Sequence, residues 1–221
     1  MKLCREMFSL YAVTDSSWLK SGETLEEAAE KALRGGVTIL QYREKEGDTD
    51  QRLDTARKLK TLCSRYGVPF IINDDVDLVL AVDADGIHVG QNDMEPGMVR
   101  TQVGPEKIIG VSVHTAEQAL SAQQQGADYL GVGAVFPTGT KKDAEGVSHE
   151  TLQKICETVK LPVVAIGGIT KDNIKLLSGC GTVGVAVVSA IFGQADIENA
   201  AKVMRELADI MVKGEAVCAK K

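Results

Sequence analysis

Five short clusters of polar residues in this chain have the types and spacing to hold an anion or a divalent metal. The first is Gln41, Tyr42, Arg43, Glu44 and Lys45. In extended backbone, alternate residues point to one side, so Gln41, Arg43 and Lys45 can converge on one ligand. An arginine fork beside a mobile lysine charge suits diphosphate oxygens. An exposed charged turn accounts for the same spacing. The second cluster is Asn73, Asp74 and Asp75, and the third runs from His88 through Gly90 to Asp93. Carboxylates from neighbouring loops can share one Mg²⁺ and leave coordination positions for phosphate oxygens and water. Asp74 and Asp93 are the preferred pair, because Asp75 and Asp77 can instead cap or solvate a short helix. Three scattered histidines make no zinc constellation, and His88 reads as structural or as a support behind the site.

Ser112 has His114 nearby but no nucleophile elbow, so a Ser-His-Asp hydrolase is not indicated. Its hydroxyl fits a ligand donor or a helix cap. The fourth cluster, Phe136 to Lys141, sets Thr138, Thr140 and Lys141 on a glycine-containing loop that can close over an oxyanion. It lacks the full Walker pattern, so it does not indicate ATP binding. A solvated loop is the plainer reading. The fifth cluster joins Gly167 and Gly168 to Val188 and Ser189. Glycines permit close backbone approach, and amide hydrogens can cradle phosphate. Two anion sites imply a reaction between two phosphorylated small molecules, or one molecule with phosphates at both ends.

These clusters fall at the ends of short apolar runs. The pattern predicts strands at 8–13, 37–41, 70–72, 86–89, 108–111, 129–132, 163–166 and 183–187. Amphipathic or capped stretches between them predict helices at 24–34, 50–66, 76–82, 96–103, 115–125, 148–159, 173–177 and 195–212. Eight right-handed β-α units can close an α/β TIM (β/α)8 barrel, whose C-terminal rim is the usual active face. An open doubly wound sheet is the rival, but it needs no eighth unit, and no Gly-x-Gly-x-x-Gly opens an early helix. No linker interrupts the alternation, so 1–221 reads as one domain.

The bulk numbers agree with such a domain. The 221 residues are 44% hydrophobic and 25% charged, with formal net charge −6. That balance disfavours a broad nucleic-acid face while leaving room for a local basic pocket. Five cysteines without a Cys-x-x-Cys pair suggest free thiols in a reducing compartment. No signal peptide or transmembrane run is legible, and the cytoplasm is the expected location.

Taken in order, the motifs resemble those of the thiamine phosphate synthase family over roughly residues 8–207. The resemblance rests on Gln41 to Lys45, Asn73-Asp74, His88 to Asp93, Gly110 to Thr115, Val135 to Lys141, and Gly167 to Ile169. It implies that hydroxymethylpyrimidine diphosphate and thiazole phosphate are joined into thiamine phosphate with release of diphosphate. A carboxylated thiazole phosphate is a second candidate acceptor. By position, Gln41, Arg43, Lys45 and Asn73 would contact the pyrimidine diphosphate, and Asp74 and Asp93 would bind Mg²⁺. Ser112 and Lys141 would serve the diphosphate, so that Arg43, Lys45, Ser112 and Lys141 carry the catalytic load. Thr138, Thr140, Gly168, Val188 and Ser189 would hold the thiazole phosphate, and a homodimer is implied. Tyr42, Asn92 and Ala134 depart from the family pattern, leaving local geometry open. A thiazole tautomerase-like homologue, a phosphate-binding regulator and a phosphosugar isomerase barrel are the competing readings. None of them uses the basic cluster and the paired acids together.

Overall fold

A computed structural model describes residues 4–44, 47–139 and 146–218. Eight parallel strands pair in sequence order and close into a barrel: β1 Leu10–Val13, β2 Ile39–Tyr42, β3 Phe70–Asn73, β4 Gly86–Val89, β5 Ile108–Val113, β6 Tyr129–Val132, β7 Val163–Ile166 and β8 Gly184–Val187. Closure sets Leu10 beside Val185 and Ala12 beside Val187. The α-helices are α1 Leu25–Arg34, α2 Thr49–Tyr66, α3 Val76–Val82, α4 Pro96–Val103, α5 Ala116–Gln124, α6 His149–Thr158 and α7 Ile197–Cys218.

Helix starts follow capping chemistry. Thr24 accepts from the Glu27 amide while Glu27 reaches back to the Thr24 N–H, and Thr115 and Gln118 repeat that box. Asp48, Asp75 and Ser148 cap α2, α3 and α6. Gly67 ends α2 at φ 65°, a left-handed conformation that glycine adopts without a Cβ penalty.

Several boundaries differ from the sequence expectation. Phe8 belongs to a 3₁₀ turn, Arg5–Phe8, which places its buried ring under the barrel against Tyr129, with centroids 5.1 Å apart. Residues 37–38 lie before β2, where the Val37 N–H bonds to Ala32 and Thr38 Oγ1 accepts from Leu10. β5 runs two residues further than its apolar run, because Ser112 pairs with Gly131 and Val113 with Val132. The expected helix at 173–177 is a 3₁₀ turn, Ile174–Leu177, so β7 and β8 are joined without an α-helix. The last helix starts at Ile197 rather than 195 and extends beyond 212.

Two apolar cores result. One fills the barrel with Ile39, Ile71, Ile108 and Val164 around Tyr11 and Tyr129. The other lies between strands and helices, including Leu10, Leu40, Phe70, Leu59 and Met204. Full burial of each large aliphatic side chain is worth about 1.5–3 kcal/mol. The interior admits two tyrosines only because small residues face them. A Cβ on Gly110 would lie 2.1 Å from Tyr129 Cζ. Cys63 and Cys180 are buried, Cys156 is partly buried and Cys4 is exposed.

The N-terminal ends of the strands are tied by a repeated device. Thr38 Oγ1 accepts from Leu10 N, Asp85 from Phe70 N and Asp128 from Ile109 N. Lys60 and Arg100 pair with those two aspartates. Asp128→Ala strands the Ile109 N–H and removes the carboxylate partner of Arg100, whose guanidinium keeps its bonds to the Gly104, Lys107 and Gly126 carbonyls. It should cost about 2 kcal/mol and lower Tm by about 4–8 °C. A calorimetric scan showing no shift would mean that another acceptor serves this amide.

Candidate functional site

A cavity opens at the C-terminal mouth of the barrel. Gln41 from β2, Arg43 just after it, Asn73 from β3 and Ser112 from β5 line it. Thr138, Gly168, Val188 and Ser189 line it as well. The structure therefore brings together eight of the residues singled out in the sequence. Lys45, Thr140 and Lys141 lie outside the described residues.

Arg43 is placed by a residue the motif reading overlooked. Thr14, fully buried beyond β1, donates its N–H to Gln41 O at 2.9 Å and accepts from Arg43 N at 3.0 Å through its hydroxyl. A threonine directly after an apolar strand was the available signal. Tyr42, between the two ligand-facing residues, points the other way into the outer core and is 3% exposed. It packs behind the motif and does not line the cavity. Ser112 lies within β5, and Thr115 caps α5, so the helix-cap reading of Ser112 is excluded. Gln91 donates to Ser112 O at 2.7 Å, pinning that strand end to the loop after β4.

Asp74 and Asp93 also meet, at the edge of the mouth beside Arg43 and Asn73. Asp74 sits at φ 63°, unusual for a non-glycine residue, with its N–H bonded to His88 O at 2.9 Å. Asn73 donates to Asp74 Oδ2 at 2.5 Å, and Gly90 N donates to Asp93 Oδ2 at 2.7 Å. Burial, then the Asp93 charge and a hydrogen bond between the carboxyls, push Asp74 up to about 6; the Asn73 amide and Arg43 oppose this. Two carboxylates this close repel one another unless a proton or a cation lies between them. The donor set therefore fits a hard divalent ion. Among the described residues no third acidic, histidine or cysteine side chain joins the pair. Such an ion would fill its remaining positions with water or phosphate oxygens, as Mg²⁺ commonly does. Asn92 is exposed beside Asp93.

The other end of the cavity is built from backbone. Gly167 and Gly168 have φ 99° and 63°. A Cβ on Gly168 would lie 2.4 Å from Pro137 O, so this glycine lets the loops after β6 and β7 touch. Val135 N and Phe136 N bond to Ile166 O and Gly167 O, extending the β6–β7 pairing toward Thr138. Ala134 packs against Gly167 beneath this contact. After β8, the N–H groups of Ile191 and Gly193 bond back to Val188 O and Ser189 O. The first amides of such a turn have no partner within it and suit an anion.

A family model described as Thiamine monophosphate synthase matches residues 10–191. The thiamine-phosphate synthase of Clostridium beijerinckii is 50% identical over 198 residues, covering 90% of this chain and 94% of that protein. That of Ruminiclostridium cellulolyticum is 50% identical over 200 residues, covering 90% and 95%. The solved thiamine phosphate pyrophosphorylase from Pyrococcus furiosus superposes with TM-score 0.87 at 40% identity, covering 94% of this chain and 98% of that one.

The raised Asp74 carboxyl has a consequence for stability. Protonation stabilises the fold, a contribution fully present below the ordinary value of 3.8 and lost as pH rises through about 6. Asp74→Asn mimics the protonated form. In protein freed of metal by a chelator it should raise Tm by about 1–2 °C at pH 8, a small gain because Asp74 is only partly withdrawn from water and solvent at the rim screens its carboxyl, and leave Tm unchanged at pH 4. Equal shifts at both pH values would show that the carboxyl titrates normally.

Proposed function

The chain belongs to the thiamine monophosphate synthase family, and we propose that its barrel mouth carries out the family's condensation through Arg43, the Asp74–Asp93 pair and a backbone phosphate cradle. The chain is a transferase that joins hydroxymethylpyrimidine diphosphate to thiazole phosphate, forming thiamine phosphate and releasing diphosphate. The observation that carries the residue assignment is a cavity that runs from Arg43 to a glycine-rich backbone cradle, with the Asp74–Asp93 pair meeting in an adjoining pocket that Arg43 shares.

Gln41 and Asn73 hold the pyrimidine substrate, and Arg43 offers its fork to the diphosphate. Ser112 adds a hydroxyl, and Lys45 and Lys141 add charge. Asp74 and Asp93 would hold Mg²⁺, which when bound supplies positive charge that neutralises the departing diphosphate. The carbon–oxygen bond breaks, and its electron pair leaves with the diphosphate while the electron-rich aminopyrimidine stabilises the methylene cation. Thr138, Thr140, Gly168, the Val188 backbone and Ser189 hold the thiazole phosphate so that its ring nitrogen faces that carbon. The nitrogen lone pair forms the new bond, so no side chain has to remove a proton. Val164, Ile166 and Ile169 line the cavity and limit capture of the cation by water.

A tautomerase-like homologue would need the phosphate cradle alone. The convergence of Arg43, Asp74 and Asp93 at the same mouth supports the two-substrate reaction instead. Among the described residues no helix is long and apolar enough to cross a membrane, which accords with a cytoplasmic enzyme acting on soluble phosphates. The homodimer implied by the resemblance is carried as part of this reading.

Purified protein supplied with both substrates and Mg²⁺ should form thiamine phosphate and diphosphate in equal amounts, and a chelator should abolish both. Arg43→Ala should lower kcat by about 100-fold, the scale seen when one donor to a developing anion is removed. Unchanged turnover in that variant would remove Arg43 from its role. Diphosphate release without coupled product would refute the condensation.

A further inference from the structure

A line of five side chains crosses the barrel beneath the cavity, and the condensation uses only its two ends. Gln41 Nε2 donates to the Tyr11 hydroxyl at 2.7 Å. The Tyr11 and Tyr129 hydroxyls are 2.8 Å apart, Tyr129 lies 2.9 Å from His88 Nδ1, and His88 Nε2 lies 2.9 Å from Ser112 Oγ. Tyr11 and Tyr129 are 2% and 1% exposed. Burial pushes both phenols well above their ordinary range, so each keeps its single proton.

The Gln41 amide gives this line its direction. A buried hydroxyl has to donate its hydrogen. With Gln41 donating to Tyr11, the Tyr11 hydrogen goes to Tyr129 and the Tyr129 hydrogen goes to His88 Nδ1. The neutral imidazole then carries its hydrogen on Nε2 and donates it to Ser112 Oγ. That leaves the Ser112 hydrogen to point into the cavity. If the Gln41 amide were turned so that its oxygen met Tyr11, every bond would reverse and Ser112 would donate to His88.

We propose that Tyr11, Tyr129 and His88 are positioning residues whose hydrogen-bond polarity sets Ser112 as a donor to an anionic oxygen of the leaving diphosphate. The proposal rests on the reading that Ser112 serves the diphosphate. No proton is transferred along the line; its work is to keep His88 from accepting the Ser112 hydrogen. It also links Gln41, at the pyrimidine, to the group that meets the leaving phosphate. The geometry depends on small neighbours, since Gly110 makes room for Tyr129 and a Cβ on Gly131 would lie 3.1 Å from His88 Cε1.

Two measurements test it on the intact protein. Nitrogen-15 NMR of the imidazoles, with His88 assigned by its loss in His88→Gln, should show the Nε2–H tautomer. An Nδ1–H tautomer would overturn the polarity. In the condensation assay, Tyr129→Phe should lower kcat about 10-fold, an order-of-magnitude expectation for weakening one donor, with KM for thiazole phosphate unchanged. Added to Ser112→Ala, the same change should cost nothing further, because the two residues act as one unit. Fully additive losses would overturn the relay. His88→Gln, which keeps one acceptor and one donor, should retain more activity than His88→Leu; equal loss would count against it. If Tyr129→Phe does not fold, Tyr11→Phe serves the same cycle. Wild-type protein that makes no thiamine phosphate would refute the functional reading while the tautomer still decides the polarity.

Discussion

Backbone pairing between β1 and β8 closes the sheet, and the rest of the molecule depends on that closure. In a closed parallel barrel every second side chain points at the axis. Gln41, Asn73, Ser112 and Val188 come from four separate strands or strand ends, yet each faces the same mouth. An open sheet with the same strands would spread them along an edge. The loops need only short reach because the strand ends already converge.

The interior carries its own constraint. Two buried tyrosines bring two hydroxyls into the barrel interior, and each hydroxyl needs partners. The barrel meets this with the line from Gln41 to Ser112 and makes room for it with glycines at 110 and 131. The polar floor of the site and the packing of the barrel are thus one arrangement. The apolar residues of the lower barrel, from Phe8 to Val183, have no such demand and simply fill volume.

At the rim, function costs stability. Asp74 occupies a left-handed conformation, and burial and then the nearby Asp93 charge push its carboxyl above the ordinary range. Relaxed surface aspartates would face water separately. Strain and like charge at one place are what a cation-binding pair requires. Arg43 sits close enough to temper the repulsion without bonding either acid out of use.

The alternation of apolar runs and capped helices made the eight-stranded architecture legible, because period-two and period-3.6 patterns are local properties of the chain. Thr24, a cap residue followed by acidic first-turn residues, located the start of α1 for the same reason. Local reading failed where polarity and structure part company. Ser112 reads as the end of a strand because it is polar, yet its backbone keeps pairing with Gly131 inside a polar mouth. Phe8 reads as strand because it is apolar, yet it turns under the barrel. The motifs at Arg43, Asp74, Asp93 and Gly168 were visible as residue types, and their order in the chain pointed to the family. What the sequence by itself determined was therefore the set of chemical groups and the elements that carry them. Only the tertiary structure decided that Asp74 meets Asp93, that Thr14 holds Arg43, and that Tyr11 reaches Tyr129. Pairing of neighbouring strands brings the first two contacts together, and barrel closure brings Tyr11 of β1 across to Tyr129 of β6.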